Sequence, residues 1–504
     1  MDHAELPEYV DVLVIGAGIS GIGMGHYLRT MSPDRTFAYV DARDEIGGTW
    51  ATFRYPGIRS DSDLHTFGFE FKPWPGDNWL AQAHEILGYL NEVIDSYDLR
   101  PHIYLGHRVV GASWSSEQAR WTVELRRTDG HTRTMTCGFI YSGAGFYDHD
   151  KGYTPEFAGR EDFRGQIVHP QHWPTDLDYA GKRVVVIGSG ATAATLIPAM
   201  AHTTGHITML QRSPGYVLPI PAKNPIARFF RAVLPGRVAS KVIRSIHIML
   251  LHRLFTISQR YPAQARALIR WINVRLLPEG YDVDTHFNPR YNPWDERLCM
   301  VPEGDLFKAI SEGRASVVTD HIERFTEHGI LLTSGQELKA DLIVTATGMN
   351  LVWMGGIPLT VDGRDIAVED ALVYKSCMLE GVPNFAYIFG YTNTSWTLKV
   401  GIVGAHVCRI LNQMASTGRR IVVPVNGDPT VTRHPIIDFR AGYVQRSLGQ
   451  MSKRGSHGPW TVEMDYHADA ARLRGPVEDP ALRFCDPGTN LVGDLVAESA
   501  GVPA

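Results

Sequence analysis

Two short apolar runs in this chain each end in a glycine-rich turn, and that pair restricts the fold more than any other feature of the sequence. Residues 10–15 (VDVLVI) run into Gly16-Ala17-Gly18-Ile19-Ser20-Gly21, and residues 182–187 (KRVVVI) run into Gly188-Ser189-Gly190-Ala191-Thr192-Ala193. Apolar runs of this length suit buried parallel strands. The glycines after them permit a tight bend and close backbone approach to a pyrophosphate, while the start of the next helix offers unpaired N–H groups. An alanine at the last fingerprint position, as at Ala193, is tolerated. The doubled unit predicts an α/β chain with two Rossmann-like dinucleotide-binding domains. Its 504 residues exceed what one core serves. The expected division is 1–150 and 346–504 for the first domain, 151–180 for a linker, 181–220 and 295–345 for the second domain, and 221–294 for a helical insert.

The residues just after each unit's second strand separate their ligands. Residues 37–40 end at Asp41, an acid placed to take ribose hydroxyls, whereas residues 207–210 end in Gln211-Arg212-Ser213, where a cation and a hydroxyl suit a 2′-phosphate. The second unit is therefore expected to prefer NADP over NAD. Gly47-Gly48-Thr49-Trp50 comes soon after Asp41 and suits backbone packed flat against a ring system. The loop RYPGIRSDSD, residues 54–63, could place charge beside that ring, or could be a solvated loop.

Charge is segregated. The net charge is −5, yet residues 223–275 carry eleven Lys or Arg and no Asp or Glu, interleaved with apolar residues at helical spacing. Such an insert reads as a peripheral membrane-surface contact, as a wall of an apolar substrate pocket, or as an ordinary helical cap with solvated arginines. No apolar run approaches the roughly eighteen residues a spanning helix needs, and the first ten residues lack a basic region followed by an apolar stretch. The five cysteines, Cys137, Cys299, Cys377, Cys408 and Cys485, are scattered. That argues against a disulfide framework or a thiolate metal site, so a cytoplasmic protein without a metal is expected, and nothing points to a nucleic-acid partner.

Residues 139–145 (FIYSGAG) and 341–348 (DLIVTATG) end buried strands in small residues, which predicts two crossings between neighbouring domains. Residues 80–96 and 304–310 read as helices, and the final sixty residues as an ordered tail over the core. Between the two nucleotide turns lies residues 163–174, FRGQIVHPQHWP.

In that bridge, Phe163, Gly165, His169, Trp173 and Pro174 match F-x-G-x-x-x-H-x-x-x-W-P, and with both fingerprints in place the chain resembles the flavin-dependent (type I) Baeyer-Villiger monooxygenases. The resemblance runs essentially end to end. VVVIGSGATA, TMLQRSP, LPEGYDV, YNPWDERLC, YTNTSWTLK and GYVQRSL look closest to the ethionamide-activating subgroup. The related N- and S-oxygenases usually carry Tyr or Phe where this chain has Trp173.

The resemblance implies FAD on the first unit and NADPH on the second. It also implies a C4a-peroxyflavin oxidant formed with O2, and conversion of ketones, linear or aryl, to esters with sulfoxidation as a side activity. The alternative is an N- or S-oxygenase without ketone insertion. Arg297 corresponds to the arginine beside the flavin, offsetting negative charge on the adduct by about 3 kcal/mol. Asp61 corresponds to its paired carboxylate, and His169 to a linker residue that affects domain movement. Glu296 departs from the pattern, since cyclic-ketone members carry lysine there, so phosphate recognition falls on Arg212 and Ser213 against a nearby carboxylate. Trp460 is a candidate for the tail tryptophan that covers the nicotinamide.

Overall fold

The protein is described here by a computed structural model covering residues 5–296, 298–439, 441–489 and 491. Two sheets carry the two glycine turns. The first has nine strands, and its centre is Tyr9–Ile15, paired in parallel with Phe37–Val40 on one side and Thr132–Ser142 on the other. Besides Tyr9–Ile15, the long strand Thr132–Ser142 serves two further neighbours. Its first half pairs antiparallel with Arg120–Arg127, and its end pairs in parallel with Phe385–Tyr387, which arrives from far along the chain. Alternation along Tyr9–Ile15 sends Val12 and Val14 to one core and Leu13 and Ile15 to the other. All four are buried, each side chain contributing about 1.5–3 kcal/mol. The helices Ile19–Met31 and Trp396–Thr417 lie against each other over the first of these cores.

The second sheet has five strands, all parallel, in the order Ala315–Thr319, His206–Gln211, Arg183–Ile187, Leu342–Thr345 and Gln166–Val168. Val184 and Val186 face one core, Val185 and Ile187 the other. The bridge is thus no open connector, because its Gln166–Val168 forms an edge strand here.

The two strand-to-glycine endings lie side by side. The strands that leave them, Tyr147–Gly152 and Met349–Leu351, pair antiparallel and form a two-stranded crossing between the sheets. The insert is a discrete excursion, since Tyr216–Ile220 before it pairs in parallel with Leu298–Pro302 after it. It consists of the helices Pro225–Val233, Gly236–Arg260, Pro262–Leu276 and Val283–Phe287. Asn224 caps the first, accepting from Ala227 N at 3.0 Å, with Pro225 opening the helix where its missing N–H costs nothing. Two buried contacts hold the long helix to the first unit. Arg244 Nη1 donates to Gly68 O at 2.6 Å, and His247 Nδ1 lies 3.0 Å from Asp63 Oδ1, though out of good hydrogen-bond alignment.

The tail is tied in equally firmly. Ile421–Pro424 pairs antiparallel with Leu482–Cys485, and the helix Tyr466–Arg474 packs on Trp396–Thr417, where Asp469 meets Lys399 in a buried ion pair. Among the described residues, no helix is long and apolar enough to cross a membrane.

Candidate functional site

The first glycine turn forms one end of a cavity of about 1090 Å³. Gly16 takes φ +98°, and a Cβ there would lie 2.7 Å from Gly143 O; one on Gly21 would lie 1.9 Å from Gly16 O. Gly16 and Gly21 therefore admit no side chain. Gly18 and Gly48 both line the cavity and lie against each other, a Cβ on Gly48 falling 3.1 Å from Gly18 Cα, so the two backbones leave a bare floor. Gly47 N donates to Ala17 O at 3.1 Å and joins the loop to the turn.

Asp41 lines the same cavity, and its carboxylate already accepts from Ala17 N at 2.7 Å and Arg43 N at 2.9 Å. Burial raises its pKa from the usual carboxylate value, while these N–H donors pull the other way. Beyond it the cavity takes in Gly48, Thr49, Trp50 and Asp61. Of the residues expected around the first turn, only Gly21 stays out of the lining, as the closing contact behind it.

Another part of the wall comes from segments that sequence reasoning did not single out for this site. Trp396 stacks on Phe146 with ring centroids 5.1 Å apart, and its Nε1 donates to Ser20 Oγ at 2.8 Å. Gly390 lies flat on the Trp396 ring, where a Cβ would come within 2.4 Å of it. Phe389, Tyr391, Phe439 and Tyr443 complete this aromatic side. The only hint in the sequence was the Gly, Thr and aromatic run at residues 389–396. The volume exceeds the roughly 300–1,000 Å³ of a drug-sized pocket. Lined by bare glycine backbone and by aromatic side chains, it fits a dinucleotide carrying a large ring system.

The second turn is built alike but faces elsewhere, since no residue from 151 to 350 lines the cavity. Gly188 takes φ +135°, and a Cβ there would meet Ala346 O at 2.4 Å, whereas Gly190 has open space where its side chain would be. Thr192 sits in the first turn of the helix Ala191–Met200. Arg212 and Ser213 are exposed beside the turn, with Ser189 Oγ donating to Ser213 O at 3.1 Å. Glu296 lies within the field of Arg212; burial raises its pKa and the arginine opposes that rise.

The loop of residues 53–63 spans the two units. Phe53 and Tyr55 bury in the second unit's core, and a Cβ on Gly57 would lie 2.6 Å from Ala199 Cβ. Burial pushes the Tyr55 hydroxyl up to about 12, with the neighbouring Thr192 side chain opposing the rise. Arg59 pairs with Asp305 at 2.6 Å in the second unit, while Asp61, two residues on, lines the first unit's cavity. Arg297 lies outside the described residues.

The bridge residues serve the junction. Phe163 is buried edge-on to Phe325, and a Cβ on Gly165 would lie 2.5 Å from Asp341 O. His169 Nε2 donates to Gly348 O at 3.2 Å and its Nδ1 accepts from Gln171 N at 3.2 Å. Burial lowers its pKa, which favours this neutral form. Trp173 packs half-buried against the second core and Pro174 is exposed. None of these five lines the cavity. Trp460 corrects the expectation for the tail: it is 2% exposed, packed on Tyr374 in the first unit's core, and absent from the cavity lining. No insert residue lines the cavity either, so the insert is not a wall of it.

A mixed nine-stranded sheet and an all-parallel five-stranded sheet, each carrying a dinucleotide-type glycine turn and joined by a paired crossing, define a two-nucleotide α/β fold. A family model described as flavin-binding monooxygenase-like matches residues 11–354, and the chain belongs to that family. It is 46% identical over 481 residues to the FAD-containing monooxygenase EthA of Mycobacterium tuberculosis (strain ATCC 25618 / H37Rv), covering 95% of this chain and 98% of the relative. It is 44% identical over 491 residues to the probable FAD-binding monooxygenase AlmA of Acinetobacter baylyi, covering 97% and 98%. In fold it matches an oxidized steroid monooxygenase bound to NADP, with TM-score 0.73, 22% identity, and 95% and 100% of the two chains covered. A caprolactone-bound cyclohexanone monooxygenase matches with TM-score 0.71 at 20% identity, covering 95% and 100%.

Proposed function

We propose that the protein is an NADPH- and O2-dependent FAD monooxygenase that converts linear or aryl ketones to esters, with sulfoxidation as a side activity. The overall balance is ketone + O2 + NADPH + H+ giving ester + H2O + NADP+. FAD bound in the large cavity would supply the redox and oxygen-transfer chemistry. The protein's part is to hold, orient and shield. Backbone N–H groups at Gly16–Gly18 and the start of the helix Ile19–Met31 receive the pyrophosphate, and Asp41 takes the ribose. Gly48, Thr49 and Trp50 bed the ring system, and the Phe146–Trp396 stack excludes water from it. At the second turn, Gly188, Gly190 and Thr192 take the NADPH pyrophosphate while Arg212 and Ser213 take its 2′-phosphate.

Asp61 and Arg297 are assigned the oxygenation step, the arginine offsetting negative charge on the ketone adduct and the aspartate holding it in place. The observation that carries this reading is the loop of residues 53–63, anchored in the second unit while presenting Asp61 to the first unit's cavity. Trp173 in the bridge supports ketone insertion over simpler oxygenation, by resemblance to the Baeyer-Villiger signature.

The test is product identification with flavin-loaded protein, NADPH and a panel of long linear ketones, aryl ketones and thioethers. Ester formed in step with NADPH consumption is expected. Sulfoxide without ester would place the protein with the N- and S-oxygenases, and peroxide alone would overturn both. In Arg297→Ala, NADPH should still bleach the flavin while ester yield falls by about two orders of magnitude. Retained ester would remove Arg297 from the mechanism.

A further inference from the structure

The helical insert owns nearly all the misplaced apolar surface of this molecule. Of the large hydrophobic side chains exposed among the described residues, every one except Tyr9 lies between Phe229 and Leu276. Phe229 is 60% exposed, Ile257 and Leu268 57%, and Trp271 and Met249 51%. On the long helix Gly236–Arg260 the exposed apolar residues are Val238, Met249, Leu254 and Ile257, and Met249 and Ile257 continue a half-buried line of Val242 and Ile246 at i, i+4, i+7 spacing, with exposed Arg253 and Arg260 on the same line. This stripe is separate from the buried seam of Ala239, Ile243 and His247 that holds the helix to the body. The next helix, Pro262–Leu276, shows Leu268 and Trp271 to solvent while it buries Ile269 and Asn273.

Charge says what covers this face. Residues 223–275 hold eleven basic and no acidic residues while the whole chain is net −5, so the remaining surface is strongly acidic. Among the described residues, no carboxylate lies within 4 Å of Arg237, Lys241, Arg253, Arg260 or Arg275, all of them exposed. Arg275 sits 4.1 Å over the Trp271 ring and Arg260 packs on Tyr261, pairing a cation with an amphipathic ring as water–lipid interfaces favour. A second copy meeting this face through a two-fold axis would bring like charge against like.

We propose that the outward face of the insert docks on an anionic lipid surface, with the acidic remainder of the molecule turned away. Apolar side chains enter the headgroup boundary and the unpaired cations meet lipid phosphates. The inference is independent of the reaction above, because it needs no turnover.

The test is sedimentation of the flavin-loaded protein with vesicles of phosphatidylcholine, with or without phosphatidylglycerol, in the absence of NADPH and substrate. Binding to the anionic vesicles, weakened by added salt and at least tenfold poorer to neutral ones, is expected. Arg253→Gln, Arg260→Gln and Arg275→Gln together should lower anionic-vesicle affinity about a hundredfold. Met249→Ser with Leu268→Ser should lower it at least tenfold, with helix content and bound flavin unchanged. Variants that bind as the parent does would overturn the proposal, as would absence of binding to either vesicle. So would a parent oligomer that the serine variant dissolves without any vesicle binding, which would make the face an interface between copies.

Discussion

The two dinucleotide units share a strand, a glycine turn and a helix, yet they differ in what surrounds the turn. The first is set in a large cavity. Its turn is plugged by Gly143, its acid is buried in backbone hydrogen bonds, and its cavity is roofed by aromatic residues returning from the C-terminal third. The second is open, with free space beyond Gly190 and exposed Arg212 and Ser213 at its edge. A roofed cavity suits a ligand kept through many turnovers, and openness suits one exchanged at every turnover. The same local motif is thus put to two uses by residues distant from it in sequence.

The largest contrast should come from the turns themselves. Gly21→Val would drive Cβ into Gly16 O, 1.9 Å away, so the purified variant should carry less than a tenth of the parent's flavin by absorbance. Gly190→Ala meets nothing within 4 Å and should keep full flavin while raising the KM for NADPH a few-fold. Equal flavin loss in both would erase the distinction. Next in size is the tail that encloses the first unit. Breaking its buried Lys399–Asp469 pair by Asp469→Ala should cost about 3–5 kcal/mol in denaturant unfolding. The exposed Arg183–Asp341 pair of the second sheet should cost at most about 1 kcal/mol when Asp341→Ala removes it.

How much of this was legible in the sequence depends on distance along the chain. Both turns could be read because six or so adjacent residues dictate the bend, and the crossing could be read because two strands end in the same small residues. The cavity's aromatic wall could not, because it forms only when Phe385–Tyr387 joins Thr132–Ser142, a pairing with no local signature. Trp460 shows the same limit from the other side. A tryptophan in a Gly-Pro loop looks alike in sequence whether it covers a ligand or fills a core, and here packing on Tyr374 decides. The insert's apolar periodicity was plain, but periodicity alone does not separate a pocket wall from an outward face. The body takes one side of the long helix and leaves the other bare.

At the second turn, Arg212→Ala should raise the KM for NADPH about 10- to 100-fold, the worth of a charge-assisted contact of roughly 1.5–3 kcal/mol. It should abolish preference over NADH and leave flavin content unchanged; flavin loss would mean that the two sites are not separate.

The smallest effect is also the sharpest probe of the open site. Glu296 lies in the field of Arg212, and burial raises its pKa from the ordinary glutamate value. While ionised it competes with the 2′-phosphate for that arginine, so Glu296→Gln should lower the KM for NADPH about threefold at about pH 8. As the pH falls through its raised pKa, Glu296 takes up a proton and the competition fades. The phosphate itself gains a proton near pH 6, which weakens binding to parent and variant alike. The ratio of the two KM values cancels that shared term and should fall from about three toward one as the pH is lowered. A ratio of one throughout would mean that Glu296 does not act on the phosphate. A ratio below one at high pH would mean that the carboxylate positions Arg212 for the phosphate instead of opposing it.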